Sequence, residues 1–192
     1  MANDEKIQKN IEIIRDQLFR GWVAYVTACE TVLFLDEDYQ HICKKTLAIV
    51  HITSTENAIL ALAKILSEDR KSVQINYLLN IIESDRNRAI VKQDRIIERI
   101  REELEKLREI IDQITFMRNK YIAHLDRVLM EATQVENVYG PVDMQKVEEV
   151  YINIMNILNY FCDVYHCNRL NLLNYRLVVT AEWKILIDRS KE

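Results

Sequence analysis

The chain has 192 residues, 49% of them hydrophobic, and a formal net charge of −4 from 26 basic and 30 acidic side chains. That length supports one domain with a sizeable core, and the mixed, slightly acidic charge excludes both a disordered chain and a broadly basic nucleic-acid binder. With only 2 glycines and 1 proline, it has few of the residues that tight turns and hairpins need, so the composition indicates an all-α protein.

The opening residues, MANDEKIQKN, are polar and lack an apolar signal core. No run approaches the roughly 18 to 20 consecutive apolar residues of a membrane span, so a cytoplasmic protein without membrane contact is expected. The first helix is expected over 7–34, where Ile7, Ile11, Ile14, Leu18, Tyr25, Cys29 and Val32 recur at helical spacing. LDEDYQ breaks the pattern, and a second helix is expected over 39–66. After the polar stretch SEDRKS, residues 73–82 (VQINYLLNII) form a short apolar run. A strand needs a partner strand, and the chain offers none, so this run reads as a short helix.

ESDRNR leads into the longest periodic segment, 89–130. GPVD then marks a new start, with Pro141 stopping the preceding chain and Asp143 suited to cap a helix running to about residue 166. The tail, 168–192, has the composition of one more helix. The expected architecture is an up-and-down bundle of four to five helices in a single domain spanning 1–192.

The four cysteines, Cys29, Cys43, Cys162 and Cys167, show none of the tight C-x2-C spacings of a zinc site, so they are expected to be reduced thiols in apolar surroundings and no metal site is expected. Trp22 and Trp183 read as packing residues, and His41, His51 and His166 as structural or exposed.

The unusual stretch is ITFMRNKYIAHLDR, residues 114–127. Alternating steps of three and four pick out Ile97, Ile100, Leu104, Leu107, Ile111, Ile114, Arg118, Tyr121, Leu125 and Val128, all apolar or aromatic except Arg118. This heptad pattern puts Arg118 at an a position, in a seam that faces another helix or a second chain. His124 falls at a g position beside that seam. Lys120, His124 and Arg127 form a strip at i, i+4 and i+7, so two cations border the imidazole and favour its neutral, proton-accepting form. A guanidinium buried in a seam requires an acidic partner, polar groups of a second chain, or an anionic ligand.

Arg118, Asn119 and His124 in RNKYIAHLD form an R-N-x4-H pattern that resembles the signature of the HEPN superfamily of small helical bundles. ALAKILSEDRKSVQINYLLNII, residues 61–82, is similar to a block of the abortive-infection type U branch of that superfamily. Ser67 stands where that branch often has aspartate. Asp126 stands two positions after His124, where HEPN toxins regulated by nucleotidylation carry tyrosine. The resemblance covers about residues 20–167 and leaves the tail outside.

The resemblance implies a HEPN-like bundle that cleaves RNA without a metal or other cofactor. The implied catalytic residues are Arg118, His124 and Asn119, with Lys120 and Arg127 binding substrate. Tyr121 is expected in packing and Asp126 in orienting a motif residue. The implied partners are an RNA substrate, a second copy of the chain that completes a composite site, and an antitoxin protein. The alternative function is a non-catalytic HEPN-like module that binds nucleotide, RNA or a protein through the same residues.

Overall fold

The structure, a computed structural model, describes residues 2–36, 44–67, 74–84, 94–120 and 143–190. These residues hold seven helices: α1 (Ala2–Asp36), α2 (Lys44–Leu66), α3 (Ile75–Ser84), α4 (Asp94–Lys106), α5 (Arg108–Lys120), α6 (Met144–Tyr165) and α7 (Leu172–Ser190). No strand occurs among the described residues, and the fold class is all-α. The short helix expected over 73–82 is present as α3, and the helices number more than the four to five expected because the tail is a full helix and the long periodic segment is divided at Leu107.

α1 is the spine. Its stripe of Ile7, Ile11, Ile14, Leu18, Trp22 and Tyr25 is buried, as the periodicity predicts, whereas Val32 near its end is 36% exposed. The helix packs most extensively on α2 and also on α3, α6 and α7, while α5 packs on the other helix of the central pair, α2. Gly21 lies where the central helices meet: a Cβ there would run into the Ala61 methyl of α2 and the Tyr151 ring and hydroxyl of α6. The Tyr151 hydroxyl donates to the Ala58 carbonyl at 2.6 Å, so the one polar atom of this buried ring is satisfied.

α2 is long and apolar enough, by length and composition, to cross a membrane. Its apolar side, including Ala58, Ile59, Leu62, Ala63 and Ile65, is buried in this fold, while Thr53, Asn57 and Lys64 are exposed. That two-sided character is the one a core helix of a bundle requires.

α6 begins where the sequence indicates. The Asp143 side chain accepts from the Gln145 backbone N–H at 2.9 Å, and the helix ends at His166 in the left-handed conformation (φ 55°). The linker to α7 is fixed by Asn159, whose amide donates to the Leu170 carbonyl (2.8 Å) and accepts from the Leu170 N–H (2.7 Å). The buried Trp22 indole donates to the Leu172 carbonyl at 2.7 Å, tying α7 to the spine.

Candidate functional site

The candidate segment begins on α5. The turn at Leu107 interrupts the long helix, and the Leu107 N–H donates to the Leu104 carbonyl at 3.2 Å, three residues back, in place of the usual four. Beyond this tighter turn the buried strip runs through Leu107, Ile110, Ile114 and Met117. Of the expected seam, Ile97, Ile100, Leu107 and Ile114 are buried, whereas Leu104, Ile111 and Arg118 lie beside the buried strip and are half-buried. A single heptad register assumes one continuous helix, and the break at Leu107 shifts the phase.

Arg118 thus emerges at the edge of the strip, next to the buried Met117 and one residue before the exposed Asn119. Among the described residues it has no hydrogen-bond or ion-pair partner. The backbone of Lys120 closes α5. Tyr121, His124, Asp126 and Arg127 lie outside the described residues. Of the expected site, the structure therefore brings Arg118 and Asn119 onto the last turn of one helix.

Sequence reasoning did not anticipate a cleft of about 340 Å³ between the end of α2, the start of α3 and the α4–α5 elbow, lined by Leu66, Ile75, Asn76, Arg101, Arg108 and Asp112 among others. Its polar wall is Arg101, Glu105, Arg108 and Asp112, spaced i, i+4, i+7 and i+11, a helical strip legible in the sequence had charged residues been tracked as the apolar ones were. Its cations are committed to acids: Arg101 pairs with Glu83 at 2.8 Å and donates to Asn80 at 2.9 Å, and Arg108 pairs with Glu105 at 2.9 Å. The cleft also abuts the 61–82 block, whose two helices are linked at their facing ends by Gln74 donating to the Ser67 hydroxyl at 3.0 Å.

His51 contacts the Ala28 carbonyl through Nδ1 at 3.0 Å, and exposed His166 caps α6. His41 and Cys43 lie outside the described residues. Burial pushes the Cys29, Cys162 and Cys167 thiols up, Cys162 to about 11, which keeps them protonated and poorly nucleophilic. No three His, Cys, Asp or Glu side chains converge as metal ligands among the described residues.

The family model HEPN_AbiU2, described as AbiU2, matches residues 49–185. The chain belongs to this AbiU2 family of the HEPN superfamily. The matched stretch starts later than the resemblance read from the sequence and extends further, taking in most of α7. No curated protein and no solved structure matches the chain.

Proposed function

We propose that this chain is a metal-independent endoribonuclease of the HEPN type that works as a homodimer and serves as a toxin or abortive-infection effector in phage defence. The observation that carries the reading is Arg118: a half-buried arginine in an AbiU2-family chain, with no acidic partner among the described residues. Arginine's rigid fork matches a phosphate, and an arginine with no acidic partner among the described residues is suited to an anionic ligand.

In the proposed reaction the ribose 2′-oxygen attacks the adjacent phosphorus and the bond from phosphorus to the 5′-oxygen breaks. The products are a 2′,3′-cyclic phosphate and a 5′-hydroxyl. One proton must leave the 2′-hydroxyl and one must reach the departing oxygen, and a histidine titrating near neutrality serves either role. His124 of one copy acts as base and that of the second copy as acid. Arg118 stabilises the charge that builds on the phosphoryl oxygens, Asn119 positions the phosphate, and Lys120 and Arg127 hold the flanking backbone. Tyr121 packs and Asp126 orients a motif side chain. An antitoxin protein would hold the activity in check.

The test is incubation of the full chain with total and transfer RNA in EDTA, beside folded, dimeric Arg118→Ala and His124→Ala variants. Cleavage by the wild type should survive chelation and fall at least a hundredfold in each variant, the usual scale for a lost proton-transfer or charge-stabilising group. The second reading, a binding module, is favoured by the net charge of −4. It predicts intact RNA with every protein, and binding that Arg118→Ala weakens and His124→Ala spares.

A further inference from the structure

α6 ends on two thiols. His166 takes the left-handed conformation, and the N–H groups of His166 and Cys167 both donate to the Cys162 carbonyl, the latter at 2.8 Å. This is a Schellman closure: the residue after the left-handed cap folds back over the last turn, and its side chain meets that of the residue five before it. Those two positions usually carry a hydrophobic contact, and here both carry sulfur. Cys162 is buried and Cys167 half-buried against one apolar cluster, and neither is bridged.

We infer that Cys162 and Cys167 form a dithiol modification site, closed to an intramolecular disulfide by a hydroperoxide and reopened by a thiol reductant. The backbone bond fixes the reach. With 2.8 Å between the Cys167 nitrogen and the Cys162 oxygen, standard bond lengths leave the two Cα atoms no more than about 6.7 Å apart. Disulfides span roughly 4.4–6.8 Å between Cα atoms. The turn is also held from outside: Gln8 donates to the Tyr165 carbonyl at 2.8 Å and Arg15 to the Asn168 carbonyl at 2.9 Å. The Cys167 thiol donates to the Tyr165 carbonyl at 3.8 Å, which turns it back toward the helix end. The sulfurs are near enough for a charge on Cys167 to act on Cys162.

Cys167, the more accessible of the two, reacts first. Its thiolate sulfur attacks an oxygen of the hydroperoxide, the O–O bond breaks, and the departing oxygen takes up a proton to leave as an alcohol, or as water from hydrogen peroxide. Cys167 is then a sulfenic acid. The Cys162 sulfur displaces its hydroxyl, the S–S bond forms, and the Cys162 proton leaves with that hydroxyl as water. Two thiols have lost two electrons and two protons, and the hydroperoxide has accepted both pairs. Burial holds the two thiols protonated, Glu12 adds to this at Cys167, and Arg15 opposes it at both. The reaction runs through the thiolate fraction and is slow at neutral pH. The bridge would span His166 and brace the turn into α7, whose start Trp22 holds.

The test treats the reduced full chain with hydrogen peroxide, alkylates it in urea, and maps tryptic peptides by mass spectrometry without reduction. One peptide, residues 147–169, holds both cysteines. After oxidation it should take up no alkylating agent and be lighter by two hydrogen atoms, and dithiothreitol should restore both thiols. In Cys167→Ser, chosen because Cys167 is only half-buried, the Cys162 thiol should be recovered alkylated after the same exposure. Full alkylation of both thiols in the oxidised wild type would overturn the inference. So would a disulfide between chains, oxidation that ends at sulfinic acid, or equal loss of the Cys162 thiol in Cys167→Ser. RNA cleavage is read separately, so this inference and the nuclease reading can each fail alone.

Discussion

Gly21 is the residue at which the fold has least room. It sits mid-helix, where glycine lowers helix stability by roughly 0.5–1 kcal/mol relative to alanine, and its φ is unremarkable. What requires it is the close approach of Ala61 and Tyr151. Nothing in the sequence reveals that need, because both neighbours come from distant helices. Gly21→Val should therefore destabilise by about 1–3 kcal/mol through overpacking, measured as a lower urea midpoint at unchanged slope. A wild-type midpoint would mean that α1 and α2 separate freely there. Arg118 differs in kind: its residue type and position were legible, its half-burial at the strip's edge was not. The phase of its helix is decided by a break that no glycine or proline announces.

At the scale of elements, legibility follows the locality of the determinants. The cap of α6 is local: Asp143 follows Pro141, and an Asx side chain just before an apolar-periodic run satisfies an otherwise free N–H. The structure has that bond, and the helix starts at the next residue. Asp143→Ala should cost about 1 kcal/mol, while Asp143→Ser should retain most of the stability. Equal loss in both would show that the carboxylate's charge, rather than the capping bond, matters. The break at Leu107 is the contrary case. EELEKLREII reads as uninterrupted helix by propensity and by period, yet α4 leans on α3 while α5 packs on α2, and one straight helix need not satisfy both. Tertiary packing overrides the local pattern, and the phase shift follows.

For the whole molecule, burial of ionisable groups sets the pH range of stability. Burial raises the Tyr151, Tyr25 and Tyr160 phenols above their ordinary value, with the Glu148 carboxylate reinforcing the shift at Tyr25; it raises Cys162 to about 11 and lifts Cys29 and Cys167 above the ordinary thiol value. In the unfolded chain thiols titrate near 8.5 and phenols near 10. A raised folded value means that the native state holds the proton more firmly, so the contribution is complete below the unfolded value and is lost as pH rises through the folded one. Cys162 gives a window from about 8.5 to 11, and the tyrosines extend the loss above about 10. On the acid side Arg169 lowers the Asp163 carboxyl, but that pair is fully solvated and screened, so its loss at low pH is small. The urea midpoint should be flat from about pH 7 to 8 and then fall steadily toward pH 11. Cys162→Ala should flatten the first part of that fall and leave the tyrosine part in place. A midpoint constant through pH 11 would mean that these groups reach solvent before the chain unfolds, and that the packing of α1 against α6 is looser than their burial implies.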